Sequence, residues 1–127
     1  MKNYIKQQKR FAYLLYPALL AGYKNIKFIV DYIKKVKLVE FEWDENKNQI
    51  NIKKHGISFE RASLVFQDPN HVKIYDSKHS IDEIRYRVLG RVNNVLCVVI
   101  TYRKNNVIRI ISARKATVGE RREYLWQ

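Results

Sequence analysis

The sequence predicts an α+β domain: two helices, a run of antiparallel strands and a closing helix. Three observations lead there. Helix-capping signals cluster between residues 44 and 58. Apolar alternation with a period of two takes over from about His71 to Ala113. A second capping signal, Thr117 with Glu120, follows the last strand. Helices grouped around an antiparallel meander, rather than alternating with each strand, point to an α+β sandwich.

The elements follow in order. Residues 39–43, Val-Glu-Phe-Glu-Trp, alternate and read as a short strand. Asp44 is a natural N-cap for a helix over residues 44–54, and Gly56 stands where a left-handed C′ residue belongs. Ser58 caps a second helix with Phe59, Ala62 and Phe66 on its inner face, and Asp68-Pro69 ends it. Four strands are predicted over residues 71–75, 84–91, 95–102 and 107–113. Asn93-Asn94 suits a type I′ hairpin turn, and Lys104-Asn105-Asn106 the next connection. The run at 95–100 is apolar on both faces, which predicts the central strand. Thr117 and Glu120 open the last helix, to about Leu125.

The chain of 127 residues suits one working domain, placed at residues 38–127. Residues 1–37 form a basic, partly apolar extension, expected to be helical, since Ile26, Ile29, Val30 and Ile33 recur at helical spacing, or else poorly ordered. Net charge is +13, and the extension alone holds nine Lys/Arg against one acid. Such a balance suits nucleic acid, an anionic membrane surface or an acidic protein partner. Residues 11–23 form an apolar run too short to span a bilayer and interrupted by Pro17, so no integral membrane span is expected. Cys97, the single cysteine, allows no intrachain disulfide, lies in an apolar strand and reads as a small buried hydrophobe. A cytoplasmic protein is expected.

Two stretches carry candidate chemistry. Lys47, Asn51, Lys54 and His55 fall at i, i+4, i+7 and i+8 on one helix face. They form either a polar stripe at a site or, for Lys54 and His55, a cationic last turn that complements the helix dipole. His55 can exchange a proton near neutrality, whereas His71 and His79 sit near loop ends. In the last strand Arg109 interrupts an apolar run, and Arg114 ends it. Arg103 ends the neighbouring strand, so it and Arg109 come close while Arg114 lies at the opposite end. Arg85, Arg87 and Arg91 alternate along one strand face. Each arginine suits a solvated sheet face, an ion pair with Asp76, Asp82 or Glu83, or a phosphate contact; together they favour a phosphate groove, because guanidinium binds phosphate in bidentate fashion. Glu120 reads as half of a capping box, and Tyr124 follows it one turn later. No histidine pair has metal-ligand spacing, and no phosphate loop, dinucleotide fingerprint or serine-esterase elbow is present. No cofactor or metal is expected.

These residues resemble a known family. Phe41-x-Trp43-Asp44-x-x-Lys47-x-x-x-Asn51-x-x-Lys54-His55-Gly56-x-x-Phe59, then Asp68-Pro69, then Arg109-x-Ile111-Ser112-Ala113-Arg114-x-Ala116, and Glu120 with Tyr124, are similar to BrnT-type toxins of bacterial type II toxin–antitoxin pairs. The resemblance implies a RelE/ParE-like fold, with two N-terminal helices and a C-terminal helix on a mainly antiparallel sheet. It implies a ribonuclease that arrests growth and a BrnA-type antitoxin partner with a ribbon-helix-helix part. Through that antitoxin it implies contact with operator DNA, and it leaves open a homodimer within the complex. Lys54, His55, Arg103, Arg109 and Arg114 are then the first candidates for catalysis, and Lys47, Asn51, Arg85, Arg87 and Tyr124 for RNA binding.

RNA supplies its own nucleophile, the 2′-hydroxyl. A metal-free ribonuclease must deprotonate it, stabilise the transition-state charge and protonate the leaving 5′-oxygen. Arginines cannot lose their protons and serve only charge stabilisation, so His55 is the expected proton-transfer group. The rival expectations are a non-catalytic basic module for nucleic acid or an acidic partner, and membrane association through residues 1–37.

Overall fold

The computed structural model describes Tyr4–Ile5, Lys27 and residues 39–126. The helix expected around Ile26 to Ile33, the apolar run at 11–23 and the rest of the extension lie outside the described residues. The elements are β1 (Tyr4–Ile5), β2 (Glu40–Asp44), α1 (Glu45–His55), α2 (Phe59–Ser63), β3 (Val72–Tyr75), β4 (Tyr86–Val92), β5 (Asn94–Arg103), β6 (Val107–Lys115) and α3 (Val118–Leu125). The α+β expectation holds. The sheet runs β1-β2-β6-β5-β4-β3; β2 and β6 are parallel and every other pair is antiparallel. Five strands belong to the domain, and the two-residue β1 adds to the β2 edge.

Local chemistry sets the helix ends. Asp44 Oδ1 accepts from the backbone N–H groups of Asn46 and Lys47, so α1 starts where expected. Gly56 stops it in the left-handed region at φ 69°. Ser58 accepts from the Arg61 N–H and opens α2. This second helix departs from the expectation. It ends at Ser63 and tightens into a 3₁₀ turn over Leu64–Gln67, which buries Val65 completely and leaves Phe66 partly exposed against Phe41. Gly90 makes that turn possible, because a Cβ there would meet Val65 Cβ at 2.7 Å. At α3 the capping box forms in full: Glu120 N–H donates to Thr117 Oγ1 at 3.2 Å, and Thr117 N–H to Glu120 Oε1 at 2.9 Å.

β5 is the centre of the five-strand domain sheet, as its two-sided apolar character predicts. The type I′ turn at Asn93-Asn94 does not form. Only Asn93 takes a positive φ, 62°, and Asn94 already pairs with Val92. The next turn places both Asn105 and Asn106 at positive φ, 63° and 61°. Asn tolerates that region better than other side chains.

One sheet face carries the main core. Phe41, Trp43, Val88, Val98, Ile100, Ile108, Ile110 and Ala113 meet Ile57, Phe59, Ala62 and Val65. Trp43 packs edge-on to Phe59, with ring centroids 6.3 Å apart. The other face holds a smaller cluster of Leu89, Val95 and Cys97 with Ala116 and Tyr124. One irregularity in β6 decides which face its arginines occupy. Ser112 pairs with Val99 and Ile110 with Ile100, so Ile111 is an extra residue. This bulge shifts the alternation by one. Ile110 and Ala113 therefore share the main core face, and Arg109 and Arg114 share the other.

An arginine-lined sheet face

The second face is where the arginines gather. Opposite partners in a ladder lie on the same face. Arg109 opposes Thr101, Arg87 opposes Val99, and Arg114 opposes Cys97, so all three share one face of β4, β5 and β6. Arg85 and Arg103 fall in step with them by alternation, as does Arg91, which packs over the Tyr124 ring at 5.6 Å.

Each of these cations except Arg91 is tied to a carboxylate. Buried Glu42 of β2 accepts from Arg109 Nε at 2.7 Å and pairs with its Nη2 at 2.6 Å. Arg103 Nη2 pairs with Glu83 Oε2 at 3.1 Å and its Nε lies 4.0 Å from Glu42. Arg85 Nη2 pairs with the other oxygen of Glu83 at 3.3 Å. A second group surrounds Glu120, which accepts from Arg114 Nη1 at 2.6 Å and Arg87 Nη1 at 2.8 Å. Burial works against the Glu120 charge, but the bonds from Arg114, the Thr117 N–H, the Cys97 thiol and Arg87 outweigh it. They hold its carboxyl far below the usual range. The Cys97 thiol, buried beside that carboxylate, is pushed up to about 12, which makes it an inert packing group rather than a nucleophile.

The first group opens onto a cavity of about 280 Å³, walled by Asp44, Lys47, Asp82, Glu83, Arg85, Arg103, Arg109, Ile110 and Ile111. Four cations face three carboxylates there. Arg85 Nε is buried and, among the described residues, has no hydrogen-bond acceptor. The structure thus brings together Lys47, Arg85, Arg103 and Arg109 among the expected residues. Arg87 and Arg114 sit farther along the same face, at Glu120.

The remaining expected residues lie elsewhere. Lys54 is exposed and His55 half-buried in the last turn of α1, and neither lines the cavity. Asn51 and Tyr124, expected to face RNA, are buried and engaged. Asn51 Oδ1 accepts from the Ala113 N–H at 3.1 Å, and its Nδ2 donates to Ala113 O and Ile57 O. It completes the β6 edge where β2 has ended. Tyr124 donates its hydroxyl to Asp68 Oδ2 at 2.6 Å, fixing α3 to the loop before β3.

Sequence reasoning names Asp76, Asp82 and Glu83 as ion-pair partners for the β4 arginines, and Glu83 is the one that pairs, with Arg85 two positions away. It misses the reach of Glu83 to Arg103, 20 positions on, and it misses Glu42, which had a signal as a carboxylate between two apolar residues of an alternating strand. It also set aside His79, whose Nδ1 lies 3.0 Å from the buried Asp76 carboxylate. That histidine belongs to the loop between β3 and β4 that supplies Asp82 and Glu83 to the cavity. Among the described residues no group of three or more His, Cys, Asp or Glu could hold a metal ion, and no helix is long and apolar enough to cross a membrane.

Fold and face together define a small basic α+β protein with an arginine-rich sheet surface. Residues 43–120 match the family described as ribonuclease toxin, BrnT, of type II toxin–antitoxin system, and the chain belongs to this family. Among solved structures, the 1.1 Å crystal structure of the Brucella abortus ribonuclease toxin, BrnT, is similar. It shares 25% sequence identity with a TM-score of 0.47, over 59% of this chain and 92% of that one. No curated protein matches.

Proposed function

We propose that this toxin is a metal-independent endoribonuclease of RelE/ParE-like architecture. It acts in the cytoplasm, arrests growth and is neutralised by a BrnA-type antitoxin that carries the complex to operator DNA. The observation that carries this reading is the cavity in which Lys47, Arg85, Arg103 and Arg109 converge, with the Arg85 Nε donor unfilled. A phosphate entering it competes with the carboxylates of Glu83 and Glu42 for guanidinium groups already held in place. Preorganised donors of this kind lower the barrier because they need not reorient as charge develops. Arg87 and Arg114 extend the track along the same face. His55, with Lys54 beside it, is the first candidate for proton transfer, which requires the RNA strand to run from the cavity to the last turn of α1; His79, oriented by Asp76, is the second candidate for that step.

The test is digestion of single-stranded RNA by the purified chain with and without EDTA. Cleavage persists with the chelator. His55→Ala lowers it about 10²–10⁴-fold if it is the proton-transfer group, and Arg109→Ala or the more exposed Arg103→Ala about 10²–10³-fold. Circular dichroism checks each fold. Full activity in the folded variants removes these assignments, and a fall in His79→Ala alone moves the role there. A second reading, a non-catalytic binding module, is favoured by the carboxylate pairing of the arginines. RNA binding without cleavage under any condition establishes it.

A further inference from the structure

The end of the sheet that carries the arginine cavity also carries an exposed aromatic patch on its other face. Tyr75 of β3, Tyr86 of β4 and Tyr102 of β5 form a row across three adjacent strands. Ring centroids are 6.0 Å apart from Tyr75 to Tyr86 and 5.6 Å from Tyr86 to Tyr102. Lys73 stands in the row. Its Nζ lies 4.9 Å from the Tyr86 centroid and 5.0 Å from that of Tyr102, and it donates to the Tyr102 hydroxyl at 3.3 Å. Tyr75 and Tyr102 remain 55% and 45% exposed. The rings meet edge to face at 67° and 69°, and Lys73 lies over one face of Tyr86 and of Tyr102, so the exposed parts of Tyr75 and Tyr102 are what the row offers to a ligand. Core packing uses only Tyr86, which leans on the main cluster.

The patch is next to the cavity in the chain as well as in space. Arg85 precedes Tyr86, and Arg103 follows Tyr102. Successive side chains on a strand point to opposite faces, so each ring and its neighbouring guanidinium flank the same sheet end. A single polynucleotide strand bending round that end meets phosphate-binding groups on one side and aromatic faces on the other. We propose that Tyr75, Tyr86, Tyr102 and Lys73 form a base-stacking platform for single-stranded RNA, continuing the path of the strand gripped at the arginine cavity. This rests on the ribonuclease reading. Exposed aromatics also suit protein partners. RNA is favoured by the cation set into the row, by the adjoining arginines and by a chain charge of +13. Stacking on aromatic faces tolerates any base, so the platform adds affinity and positions the strand without dictating sequence.

The experiment measures binding by the full chain and by the double variant Tyr75→Ala/Tyr102→Ala, both checked by circular dichroism. One probe is a short fluorescent 2′-O-methyl oligoadenylate, which lacks the nucleophile and stays intact. The other is an abasic oligonucleotide of equal length. The expected result is a loss of about tenfold or more for the oligoadenylate, an unchanged salt dependence, and equal binding of the abasic strand. Tyr75→Phe/Tyr102→Phe restores affinity. Equal affinity of wild type and double alanine variant for the oligoadenylate overturns the platform, as does an equal loss for both probes. Retained RNA binding with lost antitoxin binding makes the patch a protein-docking face and also overturns it. A wild-type chain that neither binds nor cleaves RNA sinks the ribonuclease reading as well; cleavage by the wild type matched by the variants sinks the platform alone.

Discussion

Glu120 shows how one side chain serves three elements. It caps α3, neutralises Arg87 of β4 and Arg114 of β6, and sits against the Cys97 thiol. Its folded-state carboxyl titrates lower than in the unfolded chain. The stabilisation it provides is therefore complete above the ordinary glutamate pKa of about 4.3 and is lost progressively as pH falls below that. Glu120→Gln should destabilise by about 1–2 kcal/mol at pH 6, because it leaves two arginines without their counter-charge while both still reach solvent. In urea unfolding the gap between wild type and variant should shrink as pH is lowered from 6 to 3. A gap independent of pH rules out this linkage. The capping role was legible, since Thr117 and Glu120 have the right spacing in the chain. The pairing with Arg87 was not, since it depends on segments 33 residues apart meeting at the helix.

Among the elements, α1 buries little apolar surface and is held instead by amides. Asn48 Oδ1 accepts from the Phe59 N–H at 2.8 Å, and Asn51 satisfies both backbone groups of Ala113. Asn51→Ala strands these groups and the Ile57 carbonyl in a buried place. It should cost about 3 kcal/mol and lower Tm by roughly 10–20 °C. Calorimetry reads this directly, and a change of a degree or two contradicts it. Asn51 was expected at an RNA surface because its helical spacing aligns it with Lys47, Lys54 and His55. Spacing gives a shared face but not which neighbour that face meets. The caps of α1, α2 and α3 were readable because a cap is a contact between residues two or three apart. The bulge at Ile111 was not, because it exists only in the register against β5. Without it Arg109 and Arg114, five positions apart, would point to opposite faces.

At the scale of the whole molecule, the charge of +13 meets a sheet face on which most arginines are already paired. Glu83, on the connection between β3 and β4, holds both Arg85 and Arg103. Glu83→Gln should release them for phosphate. RNA affinity should rise, and the slope of log K against log salt should steepen by about 0.7 for each further phosphate that a released arginine neutralises. Fluorescence anisotropy at several salt concentrations measures it, and an unchanged slope shows that these arginines do not meet RNA. By itself the chain determined the α+β class, the central strand, the helix caps, the basic character and the family to which residues 43–120 belong. All of these rest on local periodicity, short-range hydrogen bonds or composition. Only the tertiary structure decided which arginines share a face, which acids hold them, that Asn51 and Tyr124 are internal struts, and that Lys73 lies over two tyrosine rings. Apart from the local Arg85–Glu83 and Arg114–Glu120 pairs, these depend on strand register and on partners tens of residues away, and no pattern within one segment encodes them.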